Sequence, residues 1–266
     1  MKQLFFISLF LFSSANSLYP QLPSDIPNKL VNLTYSEILI KCEAKNLKCL
    51  VFSPADSSVS TGLILIHEEW GLTDWVTGIS SQIADQGYLV VAPDLLSALI
   101  TTVDTINDMA NEEEIRTRLL NASHEEIKAE LDASFDYLKA NPLCNGKIAI
   151  IGFSWGGTQA FRYLTENTSI NAGFVFYGRS PDKIKELERI KSPVYGIYGE
   201  YDTPLNNALG STIRKMNRLG KVYQAIIIKG GGHGFMRSGE HPRATEDNTK
   251  ARTQGWNKLL ELINQI

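Results

Sequence analysis

The chain has 266 residues, of which 43% are hydrophobic and 21% charged, with a formal net charge of −3. That length suits one large α/β domain or two small ones, and the composition is that of an ordinary soluble globular protein. The mild acidity and the lack of a basic cluster exclude a nucleic-acid-binding surface, and no stretch of about 20 apolar residues marks a membrane span in the body of the chain.

The first residues differ from the rest. Lys2 precedes an apolar run, Leu4–Phe12, and then the small polar residues Ser13-Ser14-Ala15-Asn16-Ser17. A positive start, a short apolar core and a small-residue exit predict a secretory signal peptide over 1–17, cut before Leu18, with an uncleaved anchor as the alternative. With no cysteine near the cut, a lipoprotein anchor is not expected. The mature chain, 18–266, is therefore expected to be exported, to be free of the membrane after cleavage and to work as a monomer. Cys42 and Cys49 flank a hairpin turn expected at Glu43–Lys48. They could be an oxidised cross-strand pair or two reduced thiols; Cys144 reads as a free thiol in a loop. Asn32, Asn121 and Asn167 each begin a glycosylation triplet that matters only in a eukaryotic source. No His/Cys cluster has metal-ligand spacing.

Leu18–Leu30 reads as an extended lead-in. Tyr35–Ile40 and Leu47–Ser53 alternate as paired strands, Gly62–Ile66 is an apolar central strand, and His67–Gly71 is the loop that follows it. Trp75, Ile79 and Ile83 recur at helical spacing after Asp74, and Tyr88–Ala92 is the next strand. Pro93–Thr105 is irregular. Glu112–Leu120 looks helical, and Ser123 with Glu126 forms a capping box for a helix whose buried stripe is Ile127, Leu131, Phe135 and Leu138. That helix ends before Pro142. Beyond the strand at Ile148–Ile151 the alternation continues, with strands at Ala172–Tyr177, Val194–Gly199 and Tyr223–Ile228. Helices are expected at Pro181–Arg189, Asn207–Arg218 and Asp247–Ile263. This order predicts one α/β domain with a mostly parallel sheet and helices on both faces.

The chemistry centres on Gly152-Phe153-Ser154-Trp155-Gly156, followed by Gly157. This is G-x-S-x-G between a buried strand and a helix, the context of a nucleophile elbow, where small residues let the backbone turn sharply and project the serine. A serine hydroxyl needs a general base, and the base needs an orienting acid. Asp202 follows the strand ending at Gly199, and His233 follows the strand ending at Ile228, so the chain order is Ser, acid, His. Asp202 sits better on its turn than Glu200, and His67, His124 and His241 are the competing imidazoles. The amides of Trp155 and Glu69 are expected to hold the oxyanion. The scheme requires no metal and no organic cofactor, and its partner is a small-molecule ester or lactone.

The segments HEEWGL, GYLVVAPDLL, GFSWGG, GEYDTPL and GGHGFMR, in this order and from about Tyr35 onward, resemble the dienelactone hydrolase family of α/β-hydrolases. The resemblance implies an α/β-hydrolase fold and a triad of Ser154, Asp202 and His233. It implies that Glu68 is a buried glutamate contacting the resting nucleophile, and that Arg237 grips a substrate carboxylate. Arg116 and Arg118 lie in the region of the family's second carboxylate-binding arginine, at altered spacing. The best-characterised lactone-cleaving members carry cysteine where this chain has Ser154, and serine members fit broader ester hydrolysis. A peptidase or acyltransferase on the same fold, and a catalytically silent binding protein, are the alternative readings.

Overall fold

Eight strands form one sheet in the computed structural model, which describes residues 35–43, 45–95 and 112–266. The expected leader, its cleavage point and most of the irregular segment 93–105 lie outside the described residues. The strands are β1 (Ser36–Cys42), β2 (Lys45–Phe52), β3 (Ser60–Ile66), β4 (Leu89–Pro93), β5 (Cys144–Phe153), β6 (Ala172–Phe176), β7 (Val194–Gly199) and β8 (Tyr223–Ile228). Their order is β1-β2-β4-β3-β5-β6-β7-β8. β1 pairs antiparallel with β2, and β2 with β4; every other neighbour is parallel. The sequence-based expectation of a mostly parallel sheet with helices on both faces holds, and the architecture is the α/β-hydrolase fold.

The central strands are apolar on both sides because both sides are covered. On β3, Leu63 and Leu65 face one layer and Ile64 and Ile66 the other; on β5, Ala149, Ile151 and Phe153 oppose Ile148 and Ile150. One layer holds α1 (Asp74–Ala84) and α8 (Glu246–Ile263), with Trp75, Ile79, Ile83 and Leu259 buried. The opposite layer holds α3 (His124–Ala140) and α4 (Trp155–Tyr163), with α2 (Glu112–Asn121) contributing Leu119. The capping box at Ser123 and Glu126 is formed, and the stripe Ile127, Leu131, Phe135 and Leu138 is buried as its spacing predicts.

Two short helices complete the chain, α5 (Ile184–Leu187) and α7 (Phe235–Ser238), together with α6 (Thr203–Arg218). α6 starts earlier than its apolar periodicity suggests. Asp202 is its N-cap residue and Pro204 lies in the first turn, where a proline costs no helical hydrogen bond. α7 is a single turn with no sequence periodicity to announce it.

The hairpin departs from the expected turn. Cys42 pairs with Lys45, leaving a two-residue connection with Glu43 at φ 51°. Cys49 therefore pairs with Ile38, four residues before Cys42 on β1, or roughly 13 Å along the strand. A disulfide does not span that distance. Cys42, Cys49 and Cys144 are all free thiols, and burial raises the Cys49 thiol pKa well above its ordinary value.

Beneath β1, α3 carries an ionisable side chain into this interior. Glu130 is 3% exposed, one of its carboxylate oxygens has no hydrogen-bond partner, and it lies near buried Asp94. Burial, reinforced by Asp94, pushes its pKa from 4.5 up to about 8. Because the folded pKa exceeds the unfolded one, folding holds a proton that the unfolded chain releases. Stability is then undiminished below pH 4.5, falls by up to roughly 1.4 kcal/mol per unit as pH rises, and levels off above pH 8. Glu130→Gln is expected to remove this slope, so urea unfolding between pH 5 and 8 gives a variant that gains on the wild type as pH rises. A difference independent of pH contradicts this assignment.

Candidate active site

β5 ends where the chain must turn within one residue. Ser154 has φ 52° and ψ −113°, a backbone state that an L-residue adopts only when its surroundings impose it. Its amide donates to the carbonyl of Phe176 at the end of β6, at 3.0 Å. A Cβ on Gly152 would overlap the carbonyl of Gly156, and a Cβ on Gly156 would overlap the carbonyl of His67. The glycines of G-x-S-x-G are thus close-approach residues: helix α4 sits directly against β5 and against the loop after β3.

Successive strands place the remaining groups. Asp202, 4% exposed, follows β7 and caps α6; His233 follows β8 and is half exposed. Ser154 Oγ lies 2.9 Å from His233 Nε2, and His233 Nδ1 lies 2.6 Å from Asp202 Oδ2. The carboxylate can only accept, so Nδ1 carries a proton and Nε2 is free to accept from the serine hydroxyl. Glu200, the rival acid, accepts from the Gly230 amide at 2.9 Å and so ties down the loop that carries His233. Of the competing imidazoles, His124 pairs with Glu166, and His241 accepts from the Arg243 amide.

The structure brings Ser154, Trp155, Asp202, His233 and Glu69 to one cavity of about 600 Å³, a size suited to a small ligand. Neither the Trp155 amide nor the Glu69 amide has a backbone acceptor among the described residues. Glu68 and Arg237 are placed differently from what the family resemblance implies. Glu68 is buried, but its carboxylate accepts from Arg237 Nε at 2.7 Å, while the serine hydroxyl bonds to His233 instead. Burial pushes the Glu68 carboxyl up, against the opposing pull of Arg237. Arg237 is engaged by that carboxylate and is not part of the cavity wall, which instead carries Arg116 and Arg179.

Two residues of the site escape sequence reasoning. Tyr177, fully buried and also at positive φ (40°), packs its ring against His233 at 5.2 Å and against Phe235 at 5.5 Å. Arg179 follows two residues later, exposed on the cavity wall, its amide bonded to the Thr158 hydroxyl at 3.0 Å. The only signal for either was proximity to the end of a strand.

The strand order, the elbow and the cavity at the strands' C-terminal ends define an α/β-hydrolase. A family model for the dienelactone hydrolase family matches residues 47–266, and the chain belongs to that family. A candidate carboxymethylenebutenolidase of Saccharolobus solfataricus is 25% identical over 261 residues, covering 86% of this chain and 98% of its own. The human carboxymethylenebutenolidase homologue is 28% identical over 226 residues, covering 84% and 87%. Among solved structures, a candidate dienelactone hydrolase from Klebsiella pneumoniae superposes with a TM-score of 0.75 at 18% identity, covering 88% of this chain and 99% of its own, a likeness of fold.

The close approach at the elbow makes a steric prediction. Gly156→Ala is expected to destabilise the protein by about 1–3 kcal/mol, lowering Tm by roughly 2–10 °C with loss of activity. Gly232→Ala, where an added Cβ meets nothing within 4 Å, is expected to leave Tm unchanged. Calorimetry on both variants checks this; equal Tm values contradict it.

Proposed function

We propose that this protein is an exported serine hydrolase that cleaves small carboxylic esters or lactones. What supports this reading above all is the hydrogen-bonded line from Ser154 Oγ through the His233 imidazole to the buried Asp202 carboxylate, at the wall of a cavity. In the proposed reaction Ser154 Oγ attacks the substrate carbonyl as His233 Nε2 takes its proton. Asp202 keeps the ring oriented and balances the imidazolium that forms. The amides of Trp155 and Glu69 receive the developing oxyanion. His233 then returns the proton to the leaving oxygen, and water, activated by the same imidazole, releases the acid from Ser154.

The names carried by the relatives favour lactones among the substrates. For a substrate bearing a carboxylate, Arg237 becomes available only by parting from Glu68. Arg179 already faces the cavity and has no ion pair among the described residues. Export rests on the leader at 1–17, and no helix among the described residues is long and apolar enough to cross a membrane. Monomeric action on a small molecule completes the reading.

The test is a substrate screen on protein collected outside the cytoplasm, whose N-terminus is expected at Leu18. It should pair short acyl esters with unsaturated lactones, with and without a free carboxylate. Ser154→Ala is expected to lower kcat by about 10⁴-fold or more, and Arg179→Ala to reduce kcat/KM for carboxylate-bearing lactones more than Arg237→Ala does. Undiminished turnover by Ser154→Ala overturns the proposal.

A further inference from the structure

His67 is fully buried beside the site, yet the reaction described above gives it nothing to do. Three contacts define its surroundings. Its Nδ1 lies 2.6 Å from the carbonyl oxygen of Glu68. Its ring stacks on the indole of Trp155, with centroids 5.6 Å apart and planes at 12°. Its own carbonyl abuts Gly156 closely enough that a Cβ there would collide. Nε2 is buried with no hydrogen-bond partner.

A carbonyl only accepts, so Nδ1 must carry the proton and donate it. Burial lowers the imidazole pKa to about 4, so the ring stays neutral and Nε2 keeps a bare lone pair. A buried histidine that leaves one nitrogen unpaired is held by what the other nitrogen does. That other nitrogen grips the carbonyl of Glu68, which belongs to the same rigid peptide plane as the amide of Glu69 and points the opposite way. The Gly71 amide, 3.4 Å from the same oxygen, holds the plane from a second side. Fixing the Glu68 carbonyl therefore fixes the Glu69 N–H, while the stacked ring braces Trp155, the residue that supplies the other oxyanion amide.

We infer that His67 is a positioning residue that aims the Glu68–Glu69 peptide, and with it one of the two oxyanion donors, at the substrate carbonyl oxygen, where negative charge develops. The inference rests on the proposed hydrolase reading and extends it to a residue that touches no substrate. A donor held in place matters only when charge develops on the substrate oxygen, so its loss should appear in kcat and leave ground-state binding alone.

The experiment compares His67→Leu, which fills space without a donor, with His67→Asn, whose side-chain amide can donate from near the position of Nδ1. His67→Leu is expected to lower kcat about 10- to 100-fold, with KM changed by less than about twofold. Its affinity for a trifluoromethyl ketone, which forms an oxyanion on Ser154, should fall in the same proportion, and His67→Asn should recover most of both. Equal losses in the two variants, or a fall confined to Tm, overturn the inference. If His67→Leu does not fold, ¹⁵N-histidine spectra of the wild type decide: a neutral ring protonated on Nδ1 from pH 6 to 9 supports it, and a proton on Nε2 overturns it. Ser154→Ala run alongside separates the two levels. Turnover persisting in Ser154→Ala removes the hydrolase reading itself, whereas an inactive Ser154→Ala with normal His67→Leu removes only the role of His67.

Discussion

Ser154 holds its backbone conformation because four pieces of main chain meet in close pairwise contacts around it. Gly152 at the end of β5 meets Gly156 in the first turn of α4, Gly156 meets the His67 carbonyl after β3, and Gly157 meets the Phe176 carbonyl at the end of β6. The elbow therefore depends on β5 lying between β3 and β6, as the sheet order places it. A positive φ at a serine costs on the order of 1–3 kcal/mol, and here it is offset by the amide bond to Phe176 and by burial of the flanking strand. The remaining groups come from farther out in the same sheet, Asp202 from the end of β7 and His233 from the end of β8, and they meet Ser154 in one hydrogen-bonded line.

Two buried carboxylates around the elbow each accept a hydrogen bond from a basic side chain. Asp202 is buried against His233, and Glu68 is buried against Arg237. His67, which has no charged partner, is kept neutral by burial. The Glu68–Arg237 pair lies behind the cavity wall and fixes the loop after β3 to α7. It ties the loop that carries Glu69 to the segment that carries His233. An ion pair of this kind, one partner buried and the other 40% exposed, is better read as a fastening than as a source of net stability. It also explains why Arg237, which the family resemblance implies for a substrate carboxylate, is absent from the cavity wall.

What the sequence disclosed followed from local chemistry. The apolar runs of β3 and β5 and the glycines of the elbow each carried a signal within a few residues, and the spacing of Ile127, Leu131, Phe135 and Leu138 marked a buried helix face. Strand order then put Asp202 and His233 at the right ends of the right strands. Pairings between distant residues carried no such signal. Nothing near Glu68 announced that Arg237, 169 positions away, would take its carboxylate. Tyr177 reached the cavity through a positive φ that no motif required. The hairpin turned two residues earlier than its composition suggested, which displaced Cys49 from Cys42. Arg179 is a surface residue by sequence and a wall residue only because Gly178 brings its backbone against α4.

The central claim is that the oxygen of Ser154 itself becomes bonded to the acyl group. It is tested most directly by mixing the protein with excess p-nitrophenyl acetate, quenching in acid within the first turnover and sequencing the peptides by mass spectrometry. The account predicts an acetyl group on Ser154, formed in a burst that precedes steady release. An acetyl group on another residue, or a burst with no covalent adduct, would contradict it.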